Sequence, residues 1–302
     1  MYVYRLAGDD MELAQAELKG FLESQSIEEP PDFHDGFALT EAEPSQLRRL
    51  ALVHEVGEVI ELSENLETDY RPEGTYAVRA ENADRELEKQ LGEQLSTSDN
   101  SVDLEEPDEA LKIYRINGRY CMARVVCDID RGLFQKRKNQ ERPFSSPISL
   151  DPVLARVMVN LSGVPAGGSI LDPFCGTGGI LIEAGLCGIL PCGTDVQEEM
   201  VEGTRENLEN YGVLNHDIRQ AEIQGIENVF DQSFDAVVTD LPYGQSSKKS
   251  GDPARMFLEK APELTRGKVV FMSNESEMDG LEPDHEIYVH KNLTRYIYIL
   301  DG

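Results

Sequence analysis

The 302-residue chain carries 57 Asp and Glu against 28 Lys and Arg, a formal net charge of -29, and 40% of it is apolar. That length suits about two domains of roughly 100–200 residues, and the apolar share is enough to build their cores. The acid excess excludes a generally basic nucleic-acid coat and attraction to an anionic membrane surface. With no apolar run of the roughly 18–20 residues a membrane span needs, and no signal-peptide core after Met1, it predicts a soluble, cytoplasmic protein.

Residues 2–6 read as a strand, and Asp9 or Asp10 can cap a helix whose apolar positions Leu13, Ala14, Leu18, Phe21 and Leu22 keep a 3.6 period. Strand-like 37–39, a helix over 44–52 and a strand over 58–62 complete a small α+β unit at 1–66. A second unit over 67–130 starts with a strand at 75–79 and a charged helix at 84–95. It ends in a hairpin whose arms, 110–116 and 119–126, flank Asn117-Gly118, the type I′ turn pair. A basic linker at 131–142 leads into a domain over 143–302. From Ser169 the pattern becomes β/α alternation: strand 169–172, a glycine-rich turn, a helix to about Leu186, strand 192–195, helix 198–211 and a weak strand at 217–222. An apolar strand at 234–240, a helix over 254–264 and strands at 268–272, 286–290 and 295–300 follow, the last two close enough to pair antiparallel. The order predicts an α/β fold, a Rossmann-like doubly wound sheet with an antiparallel terminal strand pair and a ligand at the carboxyl ends of its strands.

Acid is spread along the whole chain, and Arg outnumbers Lys by 18 to 10. Such a surface repels itself in dilute buffer and is screened at molar salt, where the Debye length is ~3 Å, so a protein working in high salt is the simplest reading. From Lys112 to Arg156 the balance reverses, with ten Lys or Arg against four acids. This favours a polyanion contact over a merely solvated face. Its densest part holds Arg131, Lys136, Arg137 and Lys138, with Phe134 available for stacking, and Arg142 follows. The five cysteines are odd in number and lack a C-x-x-C pair, which argues for reduced thiols.

Three loops carry the chemistry. Asp172-Pro173-Phe174-Cys175-Gly176-Thr177-Gly178-Gly179 follows the first strand of the β/α region. Its glycines let backbone approach a ligand, yet it is neither a Walker A loop nor G-x-G-x-x-G. Asp195 ends the second strand, where a carboxylate can accept both hydroxyls of a ribose. Asp240-Leu241-Pro242-Tyr243-Gly244 ends the fourth.

Together these loops resemble those of the class I S-adenosylmethionine-dependent methyltransferases, and Asp-Leu-Pro-Tyr is similar to the (Asp/Asn/Ser)-Pro-Pro-Tyr motif of the subgroup acting on amino groups. With Arg142-Pro143-Phe144, Pro147 and a helix over 152–161, the likeness extends across nearly the whole chain to the archaeal THUMP-domain tRNA guanosine-10 methyltransferases. The resemblance implies an N-terminal α+β, THUMP-containing RNA-binding region and S-adenosylmethionine as cofactor. It also implies tRNA as partner, no metal, and transfer of one or two methyls to a guanine 2-amino group; the oligomeric state is left open, with a monomer as the guess. Residue by residue, Asp172, Gly176 and Gly178, with Phe174 of the same loop, would hold the methionine part, Asp195 the ribose and Glu222 the adenine amine. Asp240 and the carbonyl of Leu241 would accept the guanine amine hydrogens beside Pro242, and Tyr243 would stack on the flipped base. Leu241 replaces a proline at a position that contributes mainly its carbonyl. Arg131, Lys136, Arg137, Lys138 and Arg142 would contact RNA.

Plainer readings stand beside these. Asp172 and Asp195 can be helix caps, Tyr243 a turn aromatic and Cys175 a packing residue. Cys192 after Pro191 is similar to the nucleophile of cytosine-5 methyltransferases but sits on the wrong strand, and the five His have no ligand spacing. An adenine or cytosine amino methyltransferase acting on other RNA or DNA, and a non-catalytic RNA-binding protein, are the competing functions.

Overall fold

The structure, a computed structural model, describes residues 1–8, 10–81, 85–147, 149–242, 253–290 and 293–301. The chain forms two compact units, one of Met1–Gln15, Ile27–Arg48 and Leu52–Asp130, the other of Ala16–Ser26, Arg49–Ala51 and Arg131–Gly302.

The first unit is built on a sheet of β1 (Tyr2–Leu6), β2 (Asp32–His34), β3 (Phe37–Thr40), β4 (Val53–Ser63), β5 (Thr75–Ala80), β6 (Ser101–Val102), β7 (Glu109–Ile116) and β8 (Arg119–Asp128). The strand order is β2-β3-β1-β4-β8-β7-β5-β6. The long β4 pairs antiparallel with β8 from Glu55↔Asp128 to Ser63↔Tyr120, so one sheet runs through both stretches that the sequence separates at residue 66. Helix α1 (Met11–Glu23) begins where the Asp10 carboxylate accepts a hydrogen bond from the Leu13 amide at 3.0 Å, while Asp9 lies outside the described residues. Asn117 and Gly118 take positive φ angles of 46° and 77°, as the hairpin turn requires. Alternation along β7 sends Leu111 and Ile113 to one face, against Leu91 and Leu95 of α2 (Arg85–Leu95), and Tyr114 and Ile116 to the other.

The helix expected over 44–52 is absent; only a 3-10 turn at Leu47–Arg49 forms. Gln46 stands at φ 51°, outside the helical region, and Leu50, Ala51 and Leu52 are buried in succession, with no solvent-facing side to make a helical period. Strand β2 was not expected, for its three residues hold too few apolar positions to alternate.

The second unit contains β9 (Ser169–Asp172), β10 (Leu190–Asp195), β11 (Asp217–Gln220), β12 (Ala236–Asp240), β13 (Val269–Ser273), β14 (His285–His290) and β15 (Leu293–Leu300). They run in the order β11-β10-β9-β12-β13-β15-β14; the first five are parallel, and β15 is antiparallel to both its neighbours. After β9 the chain steps first to β10 on one side and later to β12 on the other, which opens a crevice at their carboxyl ends. Short α3 (Gly132–Gln135) precedes α4 (Pro152–Leu161); α5 (Gly179–Leu186), α6 (Glu198–Asn210), short α7 (Ile226–Val229) and α8 (Pro253–Leu264) follow. β12 and β13 are near-continuous apolar runs because both faces are covered. On one side Phe257 packs edge-on to Phe271, which stacks on Tyr298 at 4.8 Å; on the other, Leu181, Ile182, Val201 and Leu208 fill the core. Phe234, expected to start β12, instead bridges Thr265 just outside the strand.

Candidate active site

The crevice holds a cavity of about 520 Å³ lined by Asp172, Phe174, Gly176, Asp195, Glu222, Asp240, Leu241 and Pro242, all eight picked out from the sequence. Strand ends bring four carboxylates to one place: Asp172 closes β9, Asp195 closes β10, Asp240 closes β12, and Glu222 lies two residues past β11. Tyr243 lies outside the described residues. Gly178 does not line the cavity. It shapes the turn at φ 78°, where a Cβ would meet Thr204 Cγ2 at 2.8 Å, so only glycine fits.

Asp172 is buried, and its Oδ1 accepts hydrogen bonds from Thr239 Oγ1 at 2.6 Å and the Phe174 amide at 3.1 Å. Burial pushes its carboxyl up to about 7, and the charges of Asp240 and Asp195 add to the rise against these two hydrogen bonds. Asp195 accepts from the Gly176 amide at 3.1 Å and the Gln197 amide at 2.9 Å; burial raises its carboxyl and the amides oppose that rise. Each of these aspartates does anchor its own loop, and each also lines the cavity. Asp240 accepts from Arg295 Nη1 at 2.7 Å, while its neighbour Leu241 donates its amide to the Met272 carbonyl at 2.9 Å. Sequence reasoning missed Arg295, because nothing in a strand 55 residues downstream signals that its side chain reaches Asp240.

Ser146 and Ser149 form one wall, set in place by Arg142 and Phe144. Phe144 docks on α6 where Gly203 leaves room for its ring, and Asn207 bonds both its backbone amide, at 3.0 Å, and its carbonyl, at 2.8 Å. Arg142 is buried, donating to the Arg137 carbonyl at 2.9 Å, Ser149 Oγ at 2.9 Å and Thr177 Oγ1 at 3.3 Å. It braces the wall from inside and presents no surface to a polyanion.

Much of the basic stretch is neutralised by acids from elsewhere in the chain. Arg137 pairs with buried Glu183 at 2.6 Å, Arg156 reaches the same carboxylate at 2.7 Å, Lys112 pairs with Glu81 at 2.9 Å, and Arg124 bonds Glu58. Phe134, expected to be available for stacking, is buried, with the Arg137 guanidinium 4.6 Å from its ring centroid. Of the five cations expected at RNA, Lys136 is exposed and Arg131 and Lys138 are half-buried. Burial pushes the Cys192 thiol up to about 12 and raises that of Cys175, so neither is a poised nucleophile. Among the described residues no three His, Cys, Asp or Glu cluster as metal ligands, and no helix is long and apolar enough to cross a membrane.

An open sheet of this order, with carboxylates ending its first, second and fourth strands around a glycine-rich turn, defines a class I S-adenosylmethionine-dependent methyltransferase. The same fold occurs in TrmN from Thermus thermophilus, matched over 100% of this chain and 99% of that one with a TM-score of 0.52 and 18% identity. Residues 139–279 match the RMKL-like methyltransferase domain family. The tRNA (guanine(10)-N2)-dimethyltransferase of Methanothermobacter thermautotrophicus is 34% identical over 98% of both chains. That of Pyrococcus abyssi is 36% identical over 84% of this chain and 85% of its own. The chain belongs to the tRNA (guanine(10)-N2)-dimethyltransferase family.

Proposed function

We propose that this protein transfers methyl groups from S-adenosylmethionine to the exocyclic 2-amino group of a guanosine in tRNA, at position 10, in the cytoplasm of a cell with high internal salt. The observation that carries the reading is the convergence of Asp240 and Leu241 on the cavity that Asp172 and Asp195 also line.

The cavity fits the cofactor. Asp195 offers a carboxylate to a ribose diol, and Glu222 beside Ile223 and Val196 offers an acceptor and apolar walls to an adenine. Asp172, which lines the same cavity, would hold the cationic methionine part. When bound, S-adenosylmethionine supplies an electrophilic methyl on a sulfonium. The lone pair of a guanine 2-amino group is delocalised into its ring. Asp240 and the Leu241 carbonyl, accepting its two hydrogens, favour the pyramidal and more nucleophilic nitrogen and aim it in line. With the cofactor supplying the methyl and keeping the methyl–sulfur electron pair, the amine nitrogen would gain the methyl, and the Asp240 carboxylate would take up the amine proton and pass it to solvent. Tyr243 stacks on the flipped base, and a second round gives the dimethylated amine.

Arg131, Lys136 and Lys138 hold tRNA phosphates, while Arg137 and Arg142 shape the segment that presents them. The first unit acts as the THUMP-like RNA-binding region. Incubation of a tRNA transcript with the full chain and labelled S-adenosylmethionine, followed by nucleoside mass spectrometry, tests the proposal. N2-methyl- and N2,N2-dimethylguanosine are expected; label in adenosine or cytidine, or none, would overturn it.

A further inference from the structure

The cavity gathers four carboxylates, and one of them, Asp240, is paired with Arg295 of β15. Its Nη1 lies 2.7 Å from Asp240 Oδ2 and 3.4 Å from Met272 Sδ. The two side chains are 10% and 17% exposed. β13 stands between β15 and β12, so the guanidinium reaches over the end of one strand to grip the end of the next. Met272 is the residue that pairs with Asp240 across β12 and β13, and its carbonyl holds the Leu241 amide. Arg295 therefore touches the two residues that fix the end of β12, where both proposed amine acceptors sit.

We propose that Arg295 is the positioning residue for amine recognition: it fixes the plane of the Asp240 carboxylate and holds it as an anion facing the substrate nitrogen. The inference rests on reading the site as one that methylates a guanine amine. Chemistry requires such a group. A protonated carboxyl presents an O–H and meets an amine hydrogen donor to donor, whereas the carboxylate only accepts. Three further carboxylates share the cavity with Asp240, Asp172 from β9, Asp195 from β10 and Glu222 from beyond β11, and among the described residues α8 contributes Pro253 and Met256 to its lining. β13 contributes Met272, which carries no charge. A guanidinium keeps its proton at any working pH, and the Nη1 that bonds Asp240 Oδ2 also rests on Met272 Sδ, so one group counters the acids and holds the carboxylate in place.

The test compares wild type, Arg295→Gln and Arg295→Lys as full chains, by initial methylation rates on saturating tRNA from about pH 5.5 to 9 and by calorimetry with S-adenosylmethionine. In Arg295→Gln the rate at pH 7 should fall ~30-fold or more, and the acid limb of the profile should move up by about one pH unit or more, with cofactor affinity within about threefold of wild type. Arg295→Lys, which keeps a cation without the fork, should lose plateau rate but leave the limb near its wild-type position. A Gln profile that overlays wild type after scaling by a constant overturns the proposal, as does a Lys limb displaced as far as that of Gln. If Arg295→Gln does not fold, Arg295→Lys decides: a plateau rate equal to that of wild type, or a limb displaced by about one pH unit, overturns the proposal. Absence of guanine methylation by wild type at every pH would bring down the functional reading and this inference with it.

Discussion

Asp172 is the residue whose environment is most at odds with its charge. Its carboxyl belongs near 3.8 in an unfolded chain and is pushed up to about 7 by burial in the folded one. The free native protein thus keeps a proton there that the unfolded chain has already lost. Stability falls as pH rises from about 4 to 7, and the full penalty applies above that window. A cationic ligand beside Asp172 favours the ionised form, so S-adenosylmethionine should bind more tightly as pH rises through 7 and should release a proton on binding. Calorimetry in buffers of different ionisation enthalpy checks this; affinity flat from about pH 6 to 8 would refute it. Asp172→Asn should melt higher than wild type at pH 8, because both hydrogen bonds fall on Oδ1, which asparagine keeps. Asp240→Ala should behave oppositely, leaving cofactor affinity nearly intact while cutting turnover ~100-fold through loss of a transition-state acceptor.

At the scale of elements, the cavity depends on packing far from the strand ends. A Cβ on Gly203 of α6 would lie 2.1 Å from Phe144 Cδ1, and Asn207 pins the Phe144 backbone so that the ring cannot simply slide away. Gly203→Ala should therefore displace the wall that carries Ser146 and Ser149. Overpacking of about 1–3 kcal/mol should appear as a lower melting temperature, and cofactor affinity should drop ~10-fold; unchanged affinity would mean the wall is not part of the site. Glu183 is the other hidden support, a buried carboxylate shared by Arg137 and Arg156, whose removal by Glu183→Ala should cost about 3–5 kcal/mol in denaturant titration because buried Arg156 and half-buried Arg137 lose their partner.

Neither support was visible in the sequence, while the strands and loops they steady were. A parallel strand such as β12 writes itself as an apolar run, and a ligand-binding turn as glycines after an aspartate, because these are local demands. The seating of Phe144 and the reach of Arg295 are settled by residues 63 and 55 positions away, and the burial of Arg142 by Thr177, 35 positions on. The false helix at 44–52 has the same origin, for the burial of Leu50 to Leu52 is tertiary and overrides propensity.

For the whole molecule the governing fact is a net charge of -29, against which any polyanion must be held. Counting charges along the chain places a cationic stretch at 112–156, yet folding brings Glu55, Glu58, Glu81 and Glu183 onto Lys112, Arg124, Arg137 and Arg156. Those pairs leave Arg115, Arg119, Arg131, Lys136 and Lys138 outside them, Arg115 and Lys136 exposed and the others half-buried, and so few cations in an acidic surface cannot dominate affinity at molar salt. Recognition of tRNA should then rest on shape and stacking, which salt screens little, with the lysines as a modest electrostatic contribution. Replacing Lys136 and Lys138 together by Ser should weaken tRNA binding and flatten the log affinity against log salt slope by about 1.4–1.8, at roughly 0.7–0.9 per phosphate contact, with cofactor affinity unchanged. Arg137→Ser should instead lower the melting temperature, since its partner Glu183 is left buried with one cation fewer. Self-repulsion at -29 also predicts that the melting temperature of wild type climbs from dilute buffer to ~2 M KCl as the Debye length falls below ~3 Å. A melting temperature that peaks in dilute buffer would remove high salt as the reason for this composition, and an unchanged salt slope in the double lysine variant would move the tRNA contact elsewhere.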